Sequence, residues 1–310
     1  MSVARVRAAY ARIEEVDRPE IWISLRPIEA VLADAAAVDP SLPLAGLLLA
    51  VKDNIDVAGI PTTAGCPAFA YAPSATAPAV ARLLDAGAVL LGKTNLDQFA
   101  TGLVGTRSPH GAVRDARRPE YVSGGSSSGS AVAVALGIAD IGIGSDTAGS
   151  GRVPAAFGGI VGVKPTRGLV PNRGSVPACR TLDVITPFAR DLATATRAAR
   201  IMAGVDPGDP TSRGWPADAP PAAPPQPRVG VPDPAALPHL TPGAAAARSS
   251  PRRARCARAP SWPTASGSGT SGWRSATRSL ARSAPAAPMI APTVGSTSPG
   301  CASTNAPTAA

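Results

Sequence analysis

The chain has few of the side chains on which several common kinds of site depend. It contains two histidines and four cysteines, and no cysteine lies in a Cys-x-x-Cys pair or beside a histidine, so neither a zinc site nor a disulfide framework is expected. No segment reaches the run of about 18 apolar residues that a membrane span requires, and the N-terminus lacks the apolar core of a secretory signal. We therefore expect a cytoplasmic protein without a metal ion or a membrane partner.

Acidic residues and lysine are absent from residues 241–310, which contain eight arginines and only four large aliphatic side chains. The formal net charge of the whole chain is +9, and this segment accounts for all but +1 of it. A basic surface for nucleic acid is therefore not expected on the rest of the chain. Such a segment cannot bury enough apolar area to offset its conformational entropy, so we expect a disordered, low-complexity tail over residues 248–310.

Residues 1–247 alternate between helical and strand patterns. Helices are indicated by apolar residues at three- and four-residue spacing. Strands are indicated by short aliphatic runs bounded by glycine or polar residues. They predict helices over residues 3–16, 78–86, 96–101, 130–136, 153–157 and 191–202, and strands within residues 44–57, 88–95, 138–143, 160–163 and 228–232. The sum predicts an α/β fold with a mixed sheet covered by helices.

The segment richest in chemical signals is SGGSSSGSAVAVALGIADIGIGSDTAGSGR, residues 123–152. Two turns of small residues, GGSSSGS and DTAGSGR, flank a predicted helix and strand and would bring Ser126 and Ser150 together. Serine is a weak nucleophile unless a nearby base takes its proton. Because His110 lies in an Arg-rich loop and His239 borders the tail, a serine-histidine-acid triad is the weaker alternative.

Lysine is the other candidate base, and the chain has only Lys52, Lys93 and Lys164. A lysine acts as a base only when burial and neighbouring positive charge bring its pKa far below about 10, which does not happen to arginine. Lys52, inside the aliphatic run LAGLLLAVKDNIDV, fits this requirement best. A structural pair between Lys52 and Asp53 is the alternative, and we interpret Lys93 and Lys164 as structural.

GGSSSGS, followed by GSDTAGSGRVPAAFGGIVGVKPTRG, resembles the signature stretch of the amidase signature family, and AVKDNIDVAGIPTTAGCP resembles that family's lysine-bearing strand. The resemblance implies a Ser-Ser-Lys triad in which Ser150 is the nucleophile, Ser126 the bridging serine and Lys52 the terminal base. It also implies a cis peptide bond between Gly125 and Ser126. No metal or organic cofactor is implied.

The implied chemistry is acyl transfer from a small amide to Ser150. Four backbone N–H groups lie in the turn just before the helix predicted at residues 153–157, and we expect them to form an oxyanion hole. They belong to Thr147, Ala148, Gly149 and Ser150. Asp146 and Arg152 are expected to hold this turn together as an ion pair, without touching substrate.

Three further stretches, GKTNLDQFATGLVGTRSPHG, PAAFGGIVGVKPTRGLVPNRGSVPACRTLD and WISLRP, resemble one subfamily, the allophanate hydrolases. That resemblance implies hydrolysis of allophanate, which is urea-1-carboxylate, to ammonia and carbon dioxide. A segment similar to GKTN also occurs in general amidases and in the A-type component of the amidotransferases that form glutaminyl-tRNA, where it typically continues with Glu-Phe. These two kinds of protein remain the alternatives. We also consider it possible from the sequence that the chain forms a homodimer.

The resemblance covers residues 3–247 and then stops, short of the length of the family's amidase domain. We therefore divide the chain into a partial amidase-signature domain, residues 1–247, and the tail. A frameshift near Ala247 is our hypothesis for the change in composition, and the other two reading frames of the gene test it. An inactive truncated product is the alternative to an enzyme.

Overall fold

The structure, a computed structural model, describes residues 2–215 of the chain. The strands of these residues are β1 (Trp22–Leu25), β2 (Leu48–Lys52), β3 (Val89–Thr94), β4 (Ile141–Ser145), β5 (Val161–Gly162) and β6 (Ile185–Ala189). They form one sheet in the order β1-β3-β2-β4-β6-β5. Because β2 is parallel to β3 and β4 while the other pairings are antiparallel, the predicted mixed sheet is confirmed.

Helices cover both faces of this sheet. They are α1 (Ser2–Val16), α2 (Ile28–Ala37), α3 (Pro78–Asp85), α4 (Ser128–Ala135), α5 (Arg152–Gly158) and α6 (Leu192–Met202), with 3-10 turns at Pro19–Ile21, Pro67–Phe69 and Gln98–Ala100. Residues of α1, α2, α4 and α5 share one apolar core, and residues of α3 and α6 share a second. None of the helices within residues 2–215 combines the length and apolar character needed to cross a membrane.

Alternation along β2 determines which face of the sheet Lys52 occupies. Leu48 and Ala50 belong to the core beneath α4, whereas Leu49 and Val51 belong to the core beneath α3 and α6. Since successive side chains of a strand point to opposite faces, Lys52 follows Leu48 and Ala50 onto the α4 face. The strand therefore delivers its only charged side chain to the layer that contains the serine-rich turn.

Small residues let α4 pack very closely on the sheet and its connections. Every residue from position 128 to 134 is buried. A Cβ atom added to Gly129 would lie 2.4 Å from the carbonyl oxygen of Ile21, and one added to Gly144 of β4 would lie 2.5 Å from Ser127 Oγ. The glycines of GGSSSGS and IGIGS thus serve close packing, which fixes the N-terminus of α4 beside the ends of β2 and β4.

Several boundaries differ from those predicted by the sequence. The helix predicted over residues 96–101 is a single 3-10 turn, Gln98–Ala100, because Phe99 and Ala100 have φ of 51° and 58°. These positive values are incompatible with a continuing right-handed helix. The strand predicted within residues 44–57 is limited to Leu48–Lys52, because the chain turns directly after Lys52.

Two strands and one α-helix were missed by the sequence analysis, namely β1, β6 and α2. Strand β6 contains Pro187 in its middle, which argues against a strand when only the sequence is read. The predicted strand at residues 228–232, the division after residue 247 and the predicted tail lie outside the described residues.

Candidate active site

The end of β2 places the amine of Lys52 in a fully buried position between two hydroxyl groups. Lys52 Nζ donates to Ser126 Oγ and to Ser145 Oγ, with both distances 2.8 Å, and the lysine has no exposed surface. Ser126 lies just before α4, and Ser145 is the last residue of β4. The first contact expected of the implied triad, between Lys52 and Ser126, is therefore present.

Burial lowers the pKa of Lys52 to about 7, since the ammonium form loses its hydration inside the protein. The carboxylates of Asp97, Asp146 and Asp183 act in the opposite direction and raise it. The expectation that positive charge helps to lower this pKa is wrong, because the charges acting on the amine are negative. Desolvation is the cause of the shift, and a large share of the amine is neutral near pH 7.

Asp53, the alternative partner of Lys52, pairs with Lys93 instead. Lys93 Nζ lies 3.1 Å from Asp53 Oδ1, and neither side chain has exposed surface. The Asp53 carboxylate also accepts hydrogen bonds from the backbone N–H and the hydroxyl of Thr63. Within residues 2–215, no ion pair involves Lys52. The structural interpretation of Lys93 is confirmed, and the alternative interpretation of Lys52 is wrong.

Ser126 is fixed through its backbone as well as through Lys52. The peptide bond between Gly125 and Ser126 is cis, as the resemblance implies. The carbonyl oxygen of Ser126 accepts a hydrogen bond of 3.1 Å from the backbone N–H of Asp97. A Cβ atom on Gly125 would lie 2.2 Å from Asp97 Oδ2, so only glycine fits there. These contacts hold the Ser126 hydroxyl close to the amine.

Ser150 lies in the turn after β4 and comes close to Ser126 through the backbone. Its carbonyl oxygen accepts a hydrogen bond of 3.2 Å from the N–H of Ser127, the residue after Ser126. Its hydroxyl lies 3.5 Å from the carbonyl oxygen of Gly102, a long contact, and no hydrogen bond within the described part joins it to Ser126 Oγ. Catalytic hydrogen bonds are often long before substrate binds and tighten afterwards.

The carboxylate of Asp146 organises the turn that carries Ser150. It accepts hydrogen bonds from the backbone N–H groups of Gly149, Gly151 and Arg152, at 2.9, 3.1 and 3.0 Å. It also accepts two hydrogen bonds of 2.9 Å from the guanidinium of Arg152. The predicted ion pair between Asp146 and Arg152 is confirmed, and it ties both ends of the turn to one buried group.

The same contacts remove one of the four predicted oxyanion donors. The N–H of Gly149 points to Asp146 Oδ1, so it is already engaged and the prediction for this residue is wrong. The N–H groups of Thr147, Ala148 and Ser150 donate to no acceptor in the part of the chain that the structure describes. The turn thus presents three residues with free donors beside the Ser150 hydroxyl.

Sequence reasoning missed two polar groups of the site, Ser145 and Asn54. The amide nitrogen of Asn54 lies 3.3 Å from Ser145 Oγ and 3.3 Å from the carbonyl oxygen of Val176. Asn54 follows Lys52 in VKDN, and Ser145 immediately precedes the DTAGSGR turn. Both residues could have been found from their positions at the ends of two predicted strands. Strands β2 and β4 are parallel neighbours, so their carboxyl ends lie side by side.

The carboxylate of Asp183 holds the loop that precedes β6. Its carboxylate accepts hydrogen bonds from the backbone N–H groups of Ala178 and Cys179 and from the hydroxyl of Thr147. Within the described residues it forms no ion pair with Arg180. The loop that precedes β6 is therefore linked directly to the turn of Ser150.

The sequence of this chain also matches a known protein family. A sequence model described as Amidase matches residues 4–250, and the chain belongs to this family.

Its relatives include proteins of two kinds. Urea amidolyase of Saccharomyces cerevisiae is 54% identical over 191 residues, which are 60% of this chain and 10% of that protein. The glutamyl-tRNA(Gln) amidotransferase A-type component of Thermus thermophilus is 45% identical over 214 residues, or 68% of this chain and 45% of that protein. The chain thus spans less than half the length of either relative.

A solved structure extends the similarity to three dimensions. Allophanate hydrolase of Kluyveromyces lactis superposes with a TM-score of 0.64 and 45% sequence identity, over 70% of this chain and 37% of that one. The fold of the described residues therefore occurs in that enzyme as well.

Proposed function

We propose that the chain hydrolyses a small linear amide by acyl transfer to Ser150, with Ser126 as the proton relay and Lys52 as the base. The observation that carries this proposal is the buried amine of Lys52, whose pKa is lowered to about 7 and which lies 2.8 Å from the hydroxyl of Ser126. A neutral amine in contact with a hydroxyl is what a general base requires near neutral pH.

The reaction starts when the Ser150 oxygen attacks the amide carbonyl. Ser150 passes its proton to Ser126, and Ser126 passes its own to the lone pair of Lys52. This transfer needs a hydrogen bond between the hydroxyls of Ser150 and Ser126. We infer that rotation of the Ser150 hydroxyl away from Gly102 makes this bond when substrate occupies the site.

The tetrahedral intermediate carries a negative oxygen that requires donors. The free N–H groups of Thr147, Ala148 and Ser150 supply them in the proposal, each worth about 3 kcal/mol in comparable sites. Lys52 then returns the proton through Ser126 to the departing nitrogen, and ammonia leaves. Water attacks the acyl group on Ser150 by the same path, which restores the free enzyme.

Allophanate is the substrate that we propose. The support is the similarity to urea amidolyase and to allophanate hydrolase, together with the segment GKTNLDQFATGL. Cleavage of its terminal amide releases ammonia, and the remaining carbamate-type product decomposes to carbon dioxide and more ammonia. The reaction is a hydrolysis that needs only water as co-substrate.

Ammonia release from allophanate by the purified full chain tests the proposal, with two variants as controls. Ser150→Ala removes the nucleophile and should abolish release. Ser130→Ala removes a buried hydroxyl of α4 that bonds to Thr94 and to the carbonyl oxygen of Ile143. Within the described residues this hydroxyl forms no hydrogen bond with Lys52, so the variant should keep the activity. Soluble, folded chain that releases no ammonia from any amide would favour the inactive product instead.

An A-type component of an amidotransferase is the second candidate, favoured by the similarity to the glutamyl-tRNA(Gln) amidotransferase of Thermus thermophilus. Glutamine, small aliphatic amides and aryl amides assayed beside allophanate separate the candidates. Preference for glutamine would support the second, and turnover of the simple amides a general amidase. The homodimer stays a prediction, which sedimentation of the full chain tests.

A further inference from the structure

Ser145 is a polar group of the site to which the Ser-Ser-Lys scheme gives no role. It ends β4, one position beyond the residue level with Lys52, because Val51 of β2 pairs with Ile143 of β4. Ser145 has 4% exposure and lies 2.8 Å from Lys52 Nζ, the same distance as Ser126. The amine of Lys52 is therefore bound equally closely by two hydroxyls.

These two hydroxyls reach the amine from different layers of the fold. Ser126 comes from the α4 face, whereas Ser145 follows Ile141 and Ile143, which belong to the core beneath α3 and α6. Since side chains alternate along a strand, Ser145 approaches Lys52 from the face opposite to Ser126. The amine thus lies between the hydroxyls of Ser126 and Ser145. Rotation of either serine side chain cannot supply the contact that the other makes.

The donors and acceptors of a neutral amine assign different roles to the two contacts. A neutral lysine has two N–H donors and one lone pair. To accept the proton of Ser126, the lone pair must point to Ser126 Oγ, which leaves the N–H groups for the other side. Ser145 Oγ is the acceptor available there, and the Asn54 amide at 3.3 Å steadies that hydroxyl.

We propose that Ser145 is the positioning residue of the base, which accepts an N–H of Lys52 and thereby turns the amine lone pair to Ser126. The proposal rests on the function proposed above. Ser145 touches neither substrate nor nucleophile in this scheme, and it acts only through Lys52.

The charged groups around Lys52 cannot take over this role. The carboxylates that face the amine are Asp97 from the segment after β3, Asp146 from the turn after β4 and Asp183 from the loop before β6. Within the described residues, none of them forms a hydrogen bond or an ion pair with Lys52. Removal of the Ser145 hydroxyl would leave the amine with a hydrogen bond to Ser126 alone among residues 2–215, and the amine would be free to rotate.

Steady-state kinetics of three variants test the proposal. At pH 9, where Lys52 is neutral, Ser145→Ala should lower kcat by about 10- to 100-fold through misplacement of the base, with KM little changed. Ser145→Thr keeps the hydroxyl and should retain activity within a few-fold of the unaltered chain. The matched control Ser130→Ala should retain it as well. Should the alanine variant not fold, Ser145→Cys replaces it, because a thiol is a weak acceptor of similar shape.

A second readout follows the amine itself and does not depend on turnover. The chain has only three lysines, so 13C-labelled lysine gives three side-chain signals, and loss of one signal in Lys52→Met assigns Lys52. An ammonium gains more from an acceptor than a neutral amine does, so Ser145→Ala should lower the pKa of Lys52 further. Ser145→Thr and Ser130→Ala should leave this pKa unchanged.

The outcomes separate this proposal from the proposed function. An unchanged pKa of Lys52 in Ser145→Ala would overturn the positioning role. Unchanged turnover by that variant would overturn it as well. Faster turnover would show that Ser145 competes with Ser126 for the lone pair of the amine, which also contradicts the proposal. If the unaltered chain hydrolyses no amide, the proposed function fails. The titration of Lys52 still decides in that case whether Ser145 holds the amine.

Discussion

Lys52 and Lys93 belong to the neighbouring parallel strands β2 and β3, and neither side chain has exposed surface. Their partners differ in kind. Lys93 lies 3.1 Å from the carboxylate of Asp53, whereas Lys52 contacts the hydroxyls of Ser126 and Ser145. Burial lowers the pKa of Lys93 as well, but the adjacent Asp53 opposes that shift.

The difference teaches how one sheet can hold a structural lysine and a candidate base almost side by side. A carboxylate in direct contact favours the charged form, while hydroxyl groups favour either form weakly and can exchange protons. The negative charges around Lys52 lie beyond hydrogen-bond contact in the described part of the chain, so desolvation outweighs them. What distinguishes the two lysines is the first neighbour of each amine, since both are equally buried.

The largest expected effect comes from Lys52→Met, which keeps the apolar stem and removes the amine. We expect loss of amide hydrolysis by at least about 1,000-fold, because the relay loses its proton acceptor. The fold should persist, since no carboxylate loses a bonded partner. Ammonia release and near-UV circular dichroism measure the two quantities. Activity above about a tenth of the original value would show that another group is the base.

Lys93→Met should show the opposite pattern, with a large loss of stability. It would leave the Asp53 carboxylate buried without a counter-ion, which costs about 3–5 kcal/mol of unfolding free energy. Urea unfolding at pH 7 measures this, and adding Asp53→Asn should recover part of the loss. Lys164→Met is the matched control, because Lys164 forms no ion pair within residues 2–215, and its effect should stay within about 0.5 kcal/mol.

The pH dependence sharpens the comparison for Lys52 alone. Its neutral form is the active one, so kcat/KM should rise as pH increases through about 7 and level off above it. Stability follows the same direction, since the unfolded chain binds the proton more tightly between pH 7 and the ordinary lysine pKa. Relative to Lys52→Met, the unfolding free energy should rise by about 1.4 kcal/mol per pH unit in that window. A flat difference between the two proteins would contradict the lowered pKa.

Arg152→Ala should have a smaller effect than Lys52→Met or Lys93→Met, because this ion pair is only half buried. The Arg152 side chain is 55% exposed, in contrast to the fully buried Lys93, although its partner Asp146 has no exposed surface. Water screens such a pair, so we expect a loss of about 1 kcal/mol in stability and less than about tenfold in kcat/KM. Asp146 keeps three backbone donors in this variant. A loss as large as that of Lys93→Met would show that Arg152 does more than close the turn.

Much of the fold and part of the site could be predicted from the sequence. The periodicity around β2, β3, β4, α3 and α6 located these elements within a few residues, because each carries a regular apolar pattern. The segment of Phe99 and Ala100 looked helical, but both residues have positive φ and the Phe99 N–H donates to the carbonyl oxygen of Ala64, a distant contact that local composition does not reveal.

Site residues within dense sequence motifs could be predicted. Which hydrogen-bond or ion-pair partner each of these residues has could not. Lys52 and Ser126 were found from their motifs and do meet. The pairing of Asp53 with Lys93 rather than Lys52, and the use of the Gly149 N–H by Asp146, depend on which groups lie opposite in space. Adjacency along the chain suggested Asp53 as an alternative partner of Lys52, and the small residues of the DTAGSGR turn suggested that the Gly149 N–H is free.

The alternation of side chains along β2 places the amine of Lys52 on the α4 face. One residue inserted or deleted within Leu48–Lys52, with the pairing to β3 and β4 kept, would carry that amine through to the layer of α3 and α6. The chain would then keep nearly all its motifs and composition and yet contain no base beside Ser126. The position of the base therefore depends on the number of residues in β2. We expect insertions or deletions in β2 to reduce activity far more than conservative exchanges of its aliphatic side chains.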